Sequence, residues 1–422
     1  MMGVGGTLEA NCESKGRCRM RKIRAIILGA GYRGRSYAGY AAAYPQRLEI
    51  VGVADPIPAG TIPAAHRWKD WRDCLAVRPE ADVAIVTLPD AMHREAALAA
   101  IGAGYHVLLE KPLATTAEGC EEVVAAALAA KRLVMTGHVL RYTAYFAHVK
   151  AILDSGEIGE VVSISQQESA GYWKIAHSFC RGSLANAAES SPIILTKCSH
   201  DFDLFSWWVG RPCLKVASFG SIGLFRRERR PTGAADRCVE CPAAIERKCI
   251  WSARRMYVES DRLRYLFADG STEAMERLIR ETRYGRCVFA CDNDVPDHQA
   301  VMMEFEGGVT ATLTMTGFSE KNVRTTRISA TGGEIVGDGE VLHIIRFDGG
   351  GVRTGAPHRL SIPNRSRHGG GDFNLVTALV DLLSRGDQDE IASVTASALE
   401  SHLIAFAAER SRLAGGAAVA VR

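Results

Sequence analysis

Lys197, His200 and Asp201 fall close together in the apolar segment ILTKCSHDFDLFSWW, Ile194–Trp208. On a helix their spacing of i, i+3 and i+4 puts them on one face, with Leu204, Phe205 and Trp208 as apolar anchors. An imidazole, with an ordinary pKa near ~6.5, suits the removal of a hydroxyl proton at neutral pH. A lysine can do the same when burial and a neighbouring cation lower its pKa towards ~7–8. Positioned proton transfer contributes ~10²–10⁴-fold in rate. The competing reading is a salt-bridged surface stripe, the usual fate of a charge cluster. Asp203 falls on the other face of the helix and reads as structural.

A partner for such proton chemistry is written near the N-terminus. The apolar run IRAIIL, Ile23–Leu28, suits a buried parallel strand and leads straight into GAGYRG, Gly29–Gly34. A second strand, LEIVGVAD, ends at Asp55, twenty-one residues beyond Gly34. Glycines between a strand and a helix, with an acid at that distance, form a dinucleotide-binding pattern. Gly29 permits a tight turn, Gly31 lets backbone approach a pyrophosphate, and Gly34 lets helix and strand pack closely. The helix N-terminus, with Tyr32 and Arg33 in its first turn, offers free N–H groups to phosphates. Asp55 accepts from both ribose hydroxyls and repels a 2′-phosphate, which favours NAD. Arg33 and Arg35 keep NADP as the alternative, since either could pair with that phosphate.

The elements that must hold these groups alternate. ADVAIVTLPD reads as a strand ending in a loop at Thr87–Asp90, Ala91–Ala100 as a helix, YHVLLE as a strand, Thr116–Lys131 as an alanine-rich helix and RLVMTGHV as a last strand. Alternation of this kind predicts a doubly wound parallel sheet with ligands at the C-terminal strand ends. Pro89, His93, Glu110 and Lys111 sit at or just past such ends. Beyond a helix at Thr143–Asp154 the character changes. EVVSISQQES, the run DHQAVMMEFEGGVTATLTMTGFS around a turn at Glu306–Gly308, and RTTRISATGGEIVGD read as strands of a mostly antiparallel open sheet. Helices at Phe373–Leu383 and Val394–Leu413 should pack back onto the fold. The expected division is an extension at 1–20, a dinucleotide domain at 21–141 and an α+β domain at 142–422.

GAGYRG, Asp55, VTLPDAMH, EKPLA at Glu110–Ala114, GHVLRY and SHDFDLFSWW, in this order, resemble the glucose–fructose oxidoreductase/inositol dehydrogenase (Gfo/Idh/MocA) family over residues 22–340. The resemblance implies a Rossmann domain joined to an α+β domain whose sheet face often mediates homo-oligomer contacts. It also implies hydride exchange between NAD(P) and a secondary hydroxyl of a sugar, sugar derivative or cyclitol. His200 matches the family's catalytic histidine, on a helix across the cleft from the nicotinamide. The aspartate usual four residues earlier is Thr196 here. Lys197, facing Lys111, is the candidate to take over the proton or to bind substrate. Arg141, Asp201 and His368 are further candidates to line the substrate pocket. Another branch of the family cleaves glycosides by transient oxidation and elimination; a dinucleotide-binding regulator without turnover is a third reading.

Cysteines concentrate in an insert at about 221–292: Cys238 and Cys241 form C-x₂-C, Cys249 follows, and Cys287 and Cys291 lie downstream. Cys238, Cys241, Cys249 and Cys287, or Cys291 in its place, would suit tetrahedral zinc holding a basic insert with little core of its own. An iron–sulfur cluster and simple buried thiols are the alternatives. This insert is not a general feature of the family.

Composition narrows the rest. A chain of 422 residues exceeds one ordinary core, and 47% hydrophobic with 23% charged residues is that of a globular protein. A formal charge of +3 gives no field for nucleic acid or acidic membrane, and RRERR at Arg226–Arg230 is a short solvated run. No stretch reads as a bilayer span and residues 1–20 lack the apolar core of an export signal. The twelve cysteines are therefore expected as reduced thiols in a cytoplasmic protein.

Overall fold

A computed structural model describes residues 21–57, 62–267, 269–348, 351–360 and 368–422. The extension expected at 1–20 lies outside them, as does the side chain of His368.

The first sheet is built from β1 (Ile23–Leu28), β2 (Leu48–Ala54), β3 (His66–Trp68), β4 (Val83–Val86), β5 (His106–Leu109) and β6 (Val134–Thr136). Its order is β3-β2-β1-β4-β5-β6 and every pairing is parallel. Both faces are covered, so β4 reads VAIV with all four residues buried. Helices α1 (Tyr32–Ala43), α2 (Trp71–Val77), α3 (His93–Gly102) and α4 (Ala117–Ala129) make the crossovers. The order reverses between β1 and β4, so the strand ends there open a crevice at Gly29 and Thr87.

Helix α5 (Ala144–Ser155) leads into the second sheet. It is capped by the Thr143 hydroxyl, which accepts from the Phe146 N–H at 3.2 Å, and it ends at Gly156 with φ of 70°. The sheet contains β7 (Val161–Gly171), β8 (Cys213–Ser221), β9 (His298–Phe305), β10 (Thr310–Ser319), β11 (Val323–Ala330), β12 (Gly333–Gly337), β13 (Val341–Asp348), β14 (Gly351–Thr354), β15 (His358–Arg359) and β16 (Val419–Ala420). Only β7 and β10 pair in parallel; the other pairings are antiparallel. The expected hairpin is present, with the Gly308 N–H donating to Phe305 O at 3.1 Å. Alternation along β9 and β10 gives one face to the core and leaves the other outside.

A short α6 (Tyr172–Lys174) and a π-helical turn, Ile175–Arg181, follow β7 without a break; neither was legible as periodicity. The long helix α7 (Ile193–Val209) then crosses behind the sheet. The insert holds α8 (Ala243–Glu246), α9 (Thr272–Glu281) and several single turns. It does not lack a core: Phe225, Trp251, Met256, Tyr257, Leu263, Ile279 and Phe289 join the same cluster as Phe202 and Phe205 of α7.

Helices α10 (Gly371–Arg385) and α11 (Gln388–Leu413) return to the first sheet. Leu375, Val376, Leu379 and Val380 of α10 lie in one core with Ile23, Ile27 and Tyr37. The α11 helix packs on α4, α7 and β8, and so ties the two sheets together. It starts at Asp387, whose carboxylate accepts from the N–H groups of Asp389 and Glu390, each at 3.0 Å. Contrary to the reading of the sequence, α11 does contain a window apolar and long enough to cross a bilayer, with a mean hydropathy of 1.4. Its buried Thr395, Ser401, His402, Glu409 and Ser411 face protein, as in a core helix.

Leu379→Ala should therefore destabilise the first domain although it lies far along the chain. Truncation of so buried a leucine is expected to cost about 2–5 kcal/mol, read as a lower urea midpoint with an unchanged slope. A loss below about 0.5 kcal/mol would show that α10 is peripheral to that core.

Candidate dinucleotide and active site

The glycine turn has the form its sequence requires. Gly29 has φ of 95°, and a Cβ there would stand 2.7 Å from Thr87 O. A Cβ on Gly34 would stand 2.2 Å from Gly29 O, so α1 can approach β1 only without one. Above Gly31 there is nothing within 4 Å, which leaves the open cradle that a pyrophosphate needs. Asp55, at the end of β2, accepts from the N–H of Ala30 at 2.6 Å and of Ile57 at 2.8 Å. Its half-buried carboxylate is thereby fixed beside the turn, where a ribose would lie. The residues present fit a dinucleotide.

Three candidates for cofactor contact have other work. The Arg33 guanidinium donates to Glu110 Oε1 at 2.6 Å, to Asp372 Oδ1 at 3.0 Å and to the Tyr37 hydroxyl at 2.8 Å. So engaged, it is not available to a 2′-phosphate. Arg35 donates to Ala30 O at 3.1 Å. His93 spans the carbonyls of Leu88 at 2.8 Å and Pro112 at 2.6 Å. It therefore clamps the Thr87–Pro89 loop to the loop carrying Lys111. Thr87 donates its hydroxyl to Gly29 O, while Pro89 is exposed and Tyr32 half-buried at the cleft.

Burial opposes ionisation of Glu110, but Arg33, the Tyr37 hydroxyl and Lys111 outweigh it and hold the carboxyl below its usual range. Lys111 follows, with a cis peptide bond to Pro112. Its Nζ donates to Thr196 O of α7 at 2.7 Å, so the loop from one sheet touches the helix of the other. Burial lowers the Lys111 pKa, against the raising effect of Asp90 and Glu110, and Arg33 and Lys197 lower it further.

On α7, Lys197 pairs with Glu168 of β7. Glu168 also meets Arg324 of β11 at 3.0 Å, and Arg324 meets Asp201 at 2.8 Å. Asp201 is fully buried and takes a second bond from Gln166, so it braces the helix and does not reach a substrate. Arg141 is likewise committed. Its guanidinium holds Asp203 through two bonds, at 2.6 and 2.7 Å. Asp203 also meets His138 Nδ1 at 3.1 Å, and Arg141 and His138 outweigh burial to keep its carboxyl far below the usual range. The structural reading of Asp203 is thus given partners, and both pocket roles, for Arg141 and Asp201, are replaced by buried ion pairs.

His200 is half-buried at the cleft, its ring 5.6 Å from that of His138. His138 lies 5.4 Å from His402 of α11, whose Nε2 accepts from the Leu113 N–H at 3.0 Å while Nδ1 donates to Ala398 O at 2.8 Å. His138 was readable at a strand end in GHVLRY; His402 carried no signal, being one polar residue inside an apolar helix. Lys174, just past β7, was also missed. Burial, Lys197 and Lys111 push its pKa down to about 8.

The expected metal centre finds no support in the structure. Among the described residues no group of three or more His, Cys, Asp or Glu is placed to hold a metal ion. Cys238, Cys241, Cys249 and Cys287 line one small pocket with Ile245 and Phe289. Burial raises the pKa of the Cys249 and Cys287 thiols. Cys291 turns away to donate to Cys287 O at 3.3 Å. Arg181, fully buried, does the holding: it donates to Arg286 O at 2.7 Å and Trp251 O at 2.6 Å.

A parallel sheet with a glycine turn at its switch point is thus joined, through the Lys111 loop, to a helix packed on a mostly antiparallel open sheet. Residues 23–138 match the family described as "Oxidoreductase family, NAD-binding Rossmann fold" (Gfo/Idh/MocA). Over 134 residues the chain is 37% identical to inositol 2-dehydrogenase 2 of Saccharopolyspora erythraea, covering 31% of this chain and 36% of that protein. Over 194 residues it is 30% identical to inositol 2-dehydrogenase of Acidothermus cellulolyticus, covering 44% of this chain and 53% of the relative. The matches thus span about a third to a half of those relatives. A levoglucosan dehydrogenase solved with NADH and levoglucosan shares the fold over 95% of this chain and all of its own, with a TM-score of 0.70 and 17% identity.

Two buried histidines set a pH test. Burial first, then neighbouring cations, hold His177 and His402 down to about 3. An unfolded histidine takes up its proton near ~6.5. Between those values the unfolded chain binds more protons, so stability falls as pH falls. Each group should contribute a slope of about 1.4 kcal/mol per pH unit. Urea melts from pH 6.5 to 4.5 should show it, and His402→Gln should remove about one proton's share; an unchanged slope would contradict a neutral His402.

Proposed function

We propose that the protein is an NAD-dependent dehydrogenase that moves hydride between nicotinamide and a secondary hydroxyl of a sugar, sugar derivative or cyclitol. The observation that carries this reading is the Lys111–Thr196 contact, which brings the loop beyond β5 against the helix bearing Lys197 and His200. The inositol dehydrogenase relatives support it. NAD is preferred over NADP because Asp55 stands beside the turn and Arg33 is held by two carboxylates.

Gly29, Gly31, Gly34 and the N-terminus of α1 would hold the pyrophosphate, and Asp55 the adenosine ribose. Bound NAD supplies a hydride acceptor. His200 takes the hydroxyl proton as the C–H bond breaks, and the ring of His138, itself held by Asp203 and Arg141, packs edge-on against it. Lys111 fixes the approach of the two domains and stabilises negative charge on the reacting oxygen. Lys197, paired with Glu168, donates to a substrate hydroxyl. The open face of the second sheet carries Phe219 and Met302, exposed by 64% and 63%, and supports a homo-oligomer formed through it. The ten described cysteines, all free thiols, suit a cytoplasmic setting.

A panel of polyols and glycosides with NAD tests the reading: net NADH is expected with at least one polyol. Glycoside cleavage without net NADH would assign the chain to transient-oxidation glycosidases instead. His200→Ala is expected to lower kcat by about 100-fold or more, with NAD affinity kept within about twofold. An unimpaired kcat would remove His200 from the mechanism.

A further inference from the structure

Among the described residues, four cations around the lysine loop and α7 have a counter-charge nearby. Arg33 has Glu110 and Asp372, Arg324 has Glu168 and Asp201, and Lys197 has Glu168. Lys111 has Asp90 and Glu110 for electrostatic neighbours. Lys174 has none: among the described residues its ammonium makes no hydrogen bond and no ion pair. The charges acting on it are those of Lys197 and Lys111, both positive.

Its place in the fold is fixed. β7 presents Glu168 to Lys197, and six residues further on the chain turns through α6 to Lys174. Lys111 arrives from the other domain, on the carbonyl of the residue before Lys197. Three side-chain ammonium groups from three elements thus converge on the N-terminal half of α7. The positive end of that 17-residue helix adds to the same field. A half-buried ammonium beside two others is costly unless an anion joins them. A neutral cyclitol brings hydroxyls alone and leaves that repulsion standing.

We propose that the substrate of this site carries an anionic group, a carboxylate or phosphate on the polyol, and that Lys174, flanked by Lys111 and Lys197, receives it. The proposal rests on the dehydrogenase reading for the polyol and on the lysine cluster for the charge. The anion sits on Lys174 within the field of the other two ammonium groups, while the reacting hydroxyl faces His200.

Calorimetry with D-gluconate, D-glucuronate, D-glucose 6-phosphate and myo-inositol, each with and without NADH, decides it. At least one anionic probe should bind about tenfold tighter than myo-inositol, and the phosphate and carboxylate arms tell which anion fits. Lys174→Met should weaken that probe about tenfold, leave myo-inositol within about twofold, and keep or raise Tm, since it removes an unpaired charge. Lys174→Arg should restore binding. Equal or tighter binding of myo-inositol, an equal effect of Lys174→Met on both classes, or no anionic binding up to about 50 mM would overturn the proposal. Failure of every polyol to reduce NAD sinks the dehydrogenase reading separately, because the binding comparison still decides for or against the anion.

Discussion

The Lys111 ammonium on the carbonyl of Thr196 is the contact on which the rest of the site depends. It is made between a loop at the end of a parallel strand and the interior of a helix belonging to another sheet. Neither domain alone satisfies it. The loop is held on its own side by His93 on Pro112 O and from behind by His402 on the Leu113 N–H. The helix is held on its side by the chain of charges through Glu168, Arg324 and Asp201. Polar groups buried this deeply are costly unless paired, so each bond restricts where the next can form. The cleft inherits its width from that restriction.

Much of this architecture could be read in the residues. Parallel strands buried on both faces read as short apolar runs, and the glycine spacing located the turn because only glycine fits at Gly29 and Gly34. The positions of Lys111, Lys197 and His200 followed from strand ends and helical spacing. What could not be read was partnership. Arg141 and Asp201 looked like ligands for a substrate because their types allow it. They proved to be ion-paired because residues 62 and 123 positions away meet them in space. Lys174 escaped for the opposite reason: nothing in a strand-end lysine reveals that its neighbours in space are two other lysines.

The cysteines teach a related lesson about energy. Four thiols spaced as for a metal suggested an insert unable to hold itself together. The insert instead contributes Trp251, Tyr257, Phe289 and others to the main core, and so draws on the same apolar burial as the domain around it. The thiols, Cys287 buried and the other three half-buried, then pack as small hydrophobes. The buried group that does need compensation is the guanidinium of Arg181, which takes backbone carbonyls of the insert in place of a carboxylate.

That arrangement links the insert to the cleft. Arg181 ends the π-helical turn that begins directly after Lys174. Within the turn, His177 accepts or donates a bond with Tyr257 at 2.9 Å and stacks on Tyr284 with 5.1 Å between centroids. Both tyrosines belong to the insert. A wide helical turn has poorer hydrogen-bond geometry than an α-helix and persists when tertiary contacts hold it. Here the insert supplies those contacts at each end of the turn, and the direction in which Lys174 leaves β7 follows from them. The insert therefore acts on the cleft through the turn and through α6, where Trp251 meets the Tyr172 ring and Arg262 lies over Trp173, and so fixes the wall on which Lys174 sits. A chain with the same sheets but no such insert would have to orient that wall by other means, and would offer its substrate a different arrangement of charge.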